Sequence, residues 1–214
     1  MEPELRPRSA SVSGPMSQRP RVHMAAARAA AAGVAQLLGN VAVLNYLGEA
    51  RASEGLGALQ WMINQHAVQQ RIDAGAPQRV LGQAQAATVR YGNAYAHPQA
   101  IAQIGRVTRD QAIGQCDHCA CAVATALRES AAFRASGARL EIVGTGTHAF
   151  VVVGRQPGAL TNIHAWGVDA FVVDIWNANQ GITPDALIDP QRWAWLITAG
   201  SHLRLLADCT PEAV

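Results

Sequence analysis

The sequence predicts an α+β fold in which helices come first along the chain and strands follow. Apolar residues recur at three- and four-residue steps through residues 22–52, which is the period of an amphipathic helix. Three short apolar runs, at residues 140–143, 149–153 and 170–175, have the length of strands. Helices that precede neighbouring strands in this way favour an antiparallel sheet covered by helices.

The first part of the chain is predicted to be helical after a short leader. Residues 1–21 are rich in proline and offer little to bury, so we expect a disordered leader that could carry a secretion signal. A first helix is predicted over residues 22–52 and a second over residues 56–72. A third helix, over residues 78–91, begins after a proline and ends before a glycine. Residues 22–98 therefore form a predicted helical region.

The remaining part, residues 99–214, is predicted to form the core that carries the chemistry. Residues 108–110 are expected in a loop, and strong helix formers follow Cys116, with Asp117 placed to stabilise the first helical turn. Cys116 is therefore expected at the start of a helix. Gly137 is expected to end this helical segment.

Composition narrows the class of protein. The chain has 214 residues, 50% of them hydrophobic, which is typical of one globular domain. Its net charge of +2, from arginines scattered along the chain, disfavours nucleic acid or an anionic membrane as a partner. No apolar run is long enough to predict a membrane span. Four cysteines, three of them close together, indicate free thiols in a reducing compartment.

The basic residues have an unusual composition. All 17 are arginine, and alanine occurs 42 times, a pattern that codon bias in a GC-rich genome would produce. The absence of lysine also removes every side-chain amine that could be ubiquitinated, which suits a protein that works inside a foreign eukaryotic cell. Together with the leader, this pattern favours a protein made in a bacterial cytoplasm and secreted into a host cell without a cleaved signal peptide.

Three reactive residue types stand where the predicted elements would bring them to one cleft. Cys116 lies at a helix start, His148 at the start of a buried strand and Asp174 at the end of the next strand. The positive end of a helix dipole and a neighbouring imidazolium both favour a thiolate. The histidine can then move a proton to the leaving group while the carboxylate orients its ring. The pattern predicts a cysteine-dependent catalytic triad, whose chemistry needs no cofactor.

The segments around these residues resemble the papain-like and transglutaminase-like Cys-His-Asp superfamily, which includes bacterial toxin and type III effector domains. The likeness rests on Gly-Gln-Cys at 114–116, Thr-His-Ala-Phe at 147–150 and Val-Val-Asp-Ile-Trp at 172–176. It implies a helix that carries the cysteine, packed on an antiparallel sheet that carries the histidine and the aspartate. It also implies an amide hydrolase or acyltransferase acting on a protein substrate, such as a host protein: a glutamine deamidase, a thiol protease or a transglutaminase.

Two assignments within the triad stay open. Cys119 is the alternative nucleophile, because the papain pattern has a cysteine three positions before the attacking one. The oxyanion hole is expected to use the backbone amide of Cys116 and one side-chain donor. The candidate donors are Asn177, Asn179 and Gln180.

Two other functions compete with an enzyme. A structural zinc site would use Cys116, His118, Cys119 and Cys121, but the sequence lacks a second ligand pair at short spacing, and His118 is expected to point outward. A vestigial triad would leave an inactive interaction module with the same fold. The C-terminal tryptophans are predicted to cover the sheet, with a substrate-binding aromatic wall as the alternative: Trp176, Trp193 and Trp195.

Overall fold

The protein has the α+β fold that the sequence predicts, as seen in a computed structural model that describes residues 22–44, 55–199 and 202–212. The predicted leader, residues 1–21, lies outside the described residues. The helices are α1 (Met24–Leu37), α2 (Gly55–Asp73), α3 (Ala76–Tyr91), α4 (Pro98–Gln111), α5 (Cys116–Glu129), α6 (Ala131–Ser136), α7 (Ile175–Asn179) and α8 (Ala194–Ala199). The strands are β1 (Ala42–Val43), β2 (Ile113–Gly114), β3 (Leu140–Gly144), β4 (Ala149–Val153), β5 (Phe171–Val173), β6 (Leu187–Ile188) and β7 (Arg204–Asp208).

Within the described residues, the main sheet has five antiparallel strands in the order β6-β5-β4-β3-β7. A tight hairpin joins β3 to β4, which pair from Leu140 opposite Val153 to Gly144 opposite Ala149. The short strands β1 and β2 form a separate parallel pair. This pair ties the segment after α1 to the residues just before α5, so it helps to fix the start of that helix.

Helix α5 is the centre of the molecule. It packs between α4 and the sheet, and its residues from His118 to Leu127 are buried. In β4, Val151 packs in the apolar cluster that includes α5, whereas Phe150 and Val152 belong to a second cluster. Both sets of β4 side chains are therefore buried, as expected for a continuous apolar run.

The helical region and the region predicted to hold the chemistry share one apolar core. Ala31 of α1 and Ala87 of α3 belong to the same buried cluster as Leu127 of α5 and Val151 of β4. Burial of this apolar surface removes it from water for both regions at once. The N-terminal helices therefore support the elements that carry the predicted triad.

The first helix is shorter than predicted. Helix α1 ends at Leu37, and the chain then turns at residues 38–40 and enters β1. Val41 and Leu44 are buried, but they lie directly before and directly after β1 rather than on the face of a helix. The helical period was misleading here because apolar residues after the turn keep the same spacing. Residues 45–52 of the predicted helix lie outside the described residues.

A helix stands where the sequence predicted a loop at residues 108–110. Ile101, Ile104 and Thr108 of α4 are buried at helical spacing. Gly105 lets α4 approach α5 closely, since a Cβ atom there would lie 2.5 Å from the carbonyl oxygen of Cys121. The prediction was wrong because the polar residues of α4 lie on the outer face of an amphipathic helix.

The third predicted strand, residues 170–175, is reduced to β5 because the chain turns into a short helix. The Oδ1 atom of Asp174 accepts a hydrogen bond from the backbone N–H of Asn177 at 3.0 Å and so caps α7. Ile175 and Trp176 belong to this helix rather than to the strand. Asp174 is thereby fixed between a buried strand and a helix.

The other predicted elements are confirmed within two residues at each end. Helices α2 and α3 and strands β3 and β4 occupy the predicted positions. Gly137 ends α6 with a φ of +66°, a left-handed conformation that glycine adopts without strain. Within the described ranges, the helices are all too short or too polar to cross a membrane.

Candidate active site

A cavity of about 630 Å³ opens at the N-terminal end of α5, beside the hairpin between β3 and β4. Cys116, His148 and Trp176 lie in its wall. Leu44 and Tyr95, from the helical region, line it as well. Residues from both parts of the chain therefore build the cavity, whereas the sequence predicts the chemistry in residues 99–214 alone.

Cys116 is the first residue of α5, as the sequence predicts. Its side chain is half-buried, and its Sγ atom lies 4.0 Å from the carbonyl oxygen of Thr147 in the hairpin. Among the described residues, none accepts a hydrogen bond from the backbone N–H of Cys116. The first N–H groups of a helix lack partners within the helix. A carbonyl group bound beside this thiol can therefore meet a backbone donor.

A compact turn holds His148 at the start of β4. The backbone N–H of Thr145 donates to the carbonyl oxygen of His148 at 2.8 Å. In return, the backbone N–H of His148 donates to Oγ1 of Thr145 at 3.1 Å. These paired bonds fix the backbone that carries the imidazole beside the cavity.

His148 and Asp174 form a buried pair. The Nε2 atom of His148 lies 2.6 Å from Oδ2 of Asp174, and the two residues are 6% and 3% exposed. Burial disfavours the imidazolium, but the Asp174 carboxylate and then the Cys116 thiol outweigh it and raise the pKa of His148 to about 10. The pair therefore favours a protonated imidazole at neutral pH.

The other ring nitrogen of His148, Nδ1, is buried and has no hydrogen-bond partner among the described residues. Because Nε2 is engaged with Asp174, Nδ1 is the nitrogen available to Cys116, whose thiol is close enough to raise the pKa of His148. The arrangement can hold a proton at Nδ1 and transfer it to a group bound at the thiol.

The three predicted oxyanion side chains do not line the cavity. Asn177 instead donates from Nδ2 to Oδ2 of Asp174 at 2.9 Å, so it orients the carboxylate. Asn179 donates to the carbonyl oxygens of Leu38 and Val41 at 3.2 and 2.8 Å, which ties α7 to the turn after α1. Gln180 is fully buried. The short helix α7 that follows Asp174 places these amides away from the cavity.

Aromatic rings surround the imidazole of His148. The ring centroids of Trp176 and Trp195 lie 5.1 and 5.5 Å from it. The indole N–H of Trp176 donates to the carbonyl oxygen of Leu44 at 3.0 Å, which fixes that ring. Trp176 and Trp193 are buried in the apolar clusters of the sheet, as predicted, whereas Trp195 is 40% exposed. The apolar rings shield the charged pair from water, which strengthens its electrostatic interactions.

Cys119, the alternative nucleophile, lies inside the protein. It is 1% exposed and does not line the cavity. Burial, followed by the nearby acidic groups, raises the pKa of its thiol well above the ordinary value. The geometry therefore favours Cys116 as the thiol that a substrate can reach.

His118 is buried, although the sequence predicted that it points outward. Its Nδ1 atom accepts a hydrogen bond from the backbone N–H of Gln115 at 3.2 Å, which closes the first turn of α5. Burial lowers the pKa of His118, with Asp117 opposing the shift. In the part of the chain that the structure describes, no three histidine, cysteine, aspartate or glutamate side chains are placed to hold a metal ion.

Sequence reasoning missed several residues of the cavity wall. Asn93 and Tyr95 lie in the loop between α3 and α4, and Arg204 begins β7. Nothing in the local pattern of these residues signals a site, because packing of distant segments brings them to Cys116. Gln115 also lines the cavity, and its place directly before the cysteine was the one available signal.

The chain was compared with protein-family models, with curated proteins and with solved structures, and none of them matches it. The resemblance to the papain-like and transglutaminase-like superfamily therefore rests on the motif residues of the sequence alone.

Proposed function

We propose that the protein is a cysteine-dependent amide hydrolase or acyltransferase with Cys116 as nucleophile, His148 as general acid and base, and Asp174 as the orienting carboxylate. One observation carries the proposal. In the buried His148–Asp174 pair, Nδ1 of His148 has no hydrogen-bond partner among the described residues. His148 also lines the same cavity as the thiol of Cys116. A histidine with one nitrogen held by a carboxylate and the other directed to a nucleophile is the arrangement that triad chemistry requires.

The reaction follows from these positions. The Cys116 thiolate adds to the carbonyl carbon of an amide, and the carbonyl π electrons move to the oxygen. The C–N bond then breaks as Nδ1 of His148 gives its proton to the leaving nitrogen, which leaves an acyl-thioenzyme. His148 next removes a proton from the acceptor, whose attack on the thioester carbon releases the thiolate. A water acceptor gives hydrolysis or deamidation, and an amine acceptor gives transfer.

The proposed substrate is a protein, and the proposed setting is a bacterial effector that acts on a host protein. An open cavity of about 630 Å³ can admit an extended side chain such as that of glutamine. The lysine-free sequence supports work inside a eukaryotic cell, because such a chain offers no side-chain amine for ubiquitination. The alternative is an interaction module that has the same fold but no catalytic activity, and an acyl-transfer assay distinguishes the two.

An acyl-transfer assay tests this proposal. We expect p-nitrophenyl acetate to acetylate Cys116, as located by peptide mass spectrometry, and the intact protein to release nitrophenolate in a burst. Cys116→Ala should abolish both signals, whereas Cys119→Ala should retain them. With casein as a trial protein substrate, released ammonia, new N-termini and incorporation of a labelled amine would distinguish deamidation, proteolysis and transfer.

The proposal fails if the acetyl group is absent from Cys116, or if Cys116→Ala releases nitrophenolate at the wild-type rate. Acetylation of Cys119 in its place would move the nucleophile three residues along α5. Circular dichroism of each variant would show whether the fold is retained.

A further inference from the structure

The loop between α3 and α4 is firmly built and brings one side chain to the cavity. Gly92 ends α3 with a φ of +75°, a conformation that favours glycine. The Oδ1 atom of Asn93 accepts the backbone N–H of Tyr95 at 2.8 Å, and the carbonyl oxygen of Asn93 accepts that of Ala96 at 3.1 Å. His97 then caps α4. The turn therefore holds Tyr95 in the cavity wall.

The hydroxyl group of Tyr95 is available to a ligand. Among the described residues it makes no hydrogen bond, whereas the hydroxyl of Tyr91, the last residue of α3, donates to Oε1 of Gln99 at 3.1 Å. The Tyr95 side chain packs against the main core and lines the cavity together with Cys116. Burial, and then the nearby acidic groups, among them Asp117 and Cys116, raise the pKa of Tyr95 far above its usual value. The phenol therefore keeps its proton and can donate a hydrogen bond as a neutral group.

The proposed chemistry needs a donor in addition to a backbone N–H group. Addition of a thiolate to a carbonyl group places negative charge on the oxygen, and that charge is stabilised by preorganised hydrogen-bond donors. The backbone N–H of Cys116 is one such donor. The amides of Asn177, Asn179 and Gln180 do not line the cavity. Tyr95 is a protonated donor in the same wall as the thiol.

We propose that the phenol O–H of Tyr95, together with the backbone N–H of Cys116, forms the oxyanion hole. The inference rests on the function proposed above. When the sulfur bonds to the carbonyl carbon, the former π pair becomes a lone pair on the oxygen, and Tyr95 donates a hydrogen bond to it without transferring its proton. When the carbonyl re-forms, the C–N or C–O bond breaks and that hydrogen bond weakens. Tyr95 thus acts in both the formation and the breakdown of the acyl-thioenzyme.

Two probes separate this role from that of the nucleophile. Acylation by p-nitrophenyl acetate passes through an oxyanion, whereas alkylation by iodoacetamide is a displacement at a saturated carbon that forms none. We expect Tyr95→Phe to slow acetylation of Cys116 about 10²- to 10³-fold, the usual cost of losing one oxyanion donor. Alkylation of Cys116 should stay at the wild-type rate. Tyr91→Phe, which also removes one hydroxyl group from this segment, should leave both rates unchanged.

Each other outcome overturns the inference. Acetylation within twofold of wild type in Tyr95→Phe would show that the phenol does not stabilise the oxyanion. An equal loss in both reactions would show that Tyr95 shapes the site rather than donating to the oxygen. If wild-type Cys116 reacts with neither reagent faster than the buried cysteines, the proposed function itself fails, and this inference fails with it.

Discussion

Two buried pairs of opposite charge flank β4, one just before the strand and one just after it. His148 pairs with Asp174, and Arg155 pairs with Glu141 of β3. All four residues are at most 6% exposed. Charges so far from water are costly unless every polar atom finds a partner, so the two pairs can be compared by how completely each is bonded.

The Arg155–Glu141 pair is fully bonded. Nε and Nη2 of Arg155 donate to the two carboxylate oxygens at 2.7 and 2.8 Å. Nη1 donates to the carbonyl oxygens of Gln156 and Gly158 at 3.2 and 2.9 Å. Arg139 adds a contact of 2.7 Å to the same carboxylate. Arg155 does not line the cavity that holds Cys116, and the pair ties β3 to the segment that follows β4.

The His148–Asp174 pair is bonded on one side only. The Asp174 carboxylate is held by His148 and by Asn177, but Nδ1 of His148 has no partner among the described residues and lies beside the cavity. Under the proposed function, the Arg155–Glu141 pair stabilises the fold and the His148–Asp174 pair takes part in the chemistry. A buried charged group whose polar atoms all have hydrogen-bond partners stabilises one conformation. A buried ring nitrogen without a partner can instead exchange a proton with a bound group.

Removal of Glu141 should give the largest effect, and it tests whether the Arg155–Glu141 pair stabilises the fold. In Glu141→Ala the Arg155 guanidinium stays buried without its carboxylate, so we expect the free energy of unfolding to fall by about 3–5 kcal/mol. Urea denaturation measures this change. The folded variant should alkylate Cys116 at the wild-type rate. A loss below about 1 kcal/mol, or a slower Cys116, would contradict the assignment of this pair to the fold.

Removal of the negative charge of Asp174 should have the next largest effect. Asp174→Asn keeps the size of the side chain but no longer stabilises the imidazolium of His148, so we expect acetylation of Cys116 by p-nitrophenyl acetate to slow by about 100-fold or more. NMR titration should show a lower pKa for His148. Asp169→Asn, an exposed residue just before β5, is the matched control. Equal rates in the two variants would contradict the role of Asp174.

The pH dependence of stability tests the His148–Asp174 pair. The pKa of His148 is raised to about 10 in the folded protein, so its pairing stabilises the fold fully below about pH 6.5, and this contribution is lost as the pH rises toward 10. The difference in unfolding free energy between wild type and His148→Gln should therefore shrink between pH 6.5 and pH 10. Exposed His164 provides the control, and His164→Gln should show no such trend. A difference that is constant with pH would contradict the raised pKa.

Loss of the Asn177 amide should have the smallest of these effects. Asn177→Ala removes the 2.9 Å bond to Oδ2 of Asp174 but keeps the backbone cap, so the carboxylate is less well oriented. We expect acetylation of Cys116 to slow by about tenfold, equivalent to about 1.4 kcal/mol, within the range for a hydrogen bond to a charged group. Asn179→Ala, which loses bonds to backbone carbonyls, should lower stability without changing this rate. Slower acetylation in Asn179→Ala together with an unchanged rate in Asn177→Ala would instead favour Asn179 as the oxyanion donor.

The sequence predicted the parts of the site that depend on local structure. Residues 149–153 form a strand, as a short continuous apolar run of this length predicts, and both of its faces are buried. The helix start at Cys116 follows from the helix formers after it and from Asp117 in its first turn. The residue types and positions of Cys116, His148 and Asp174 could therefore be read directly.

The parts that were not predicted depend on distant contacts. Helix α4 was missed because its stability comes from packing on α5, where Gly105 meets the backbone of Cys121. His118 was expected to face solvent, but the amide of Gln115 and the surrounding core hold it inside. Tyr95 comes to the cavity through a turn and a helix packing that no local pattern records.

Alkylation of the cysteines by iodoacetamide as a function of pH tests the central claim most directly. Peptide mass spectrometry would follow all four cysteines in wild type and in His148→Ala, with His164→Ala as the control. We expect Cys116 to react rapidly at pH 7 and at least about tenfold more slowly in His148→Ala, while buried Cys119, Cys121 and Cys209 react slowly in every variant. An unchanged Cys116 profile in His148→Ala, or a Cys116 no faster than the buried cysteines, would contradict the claim that His148 and Asp174 activate this thiol.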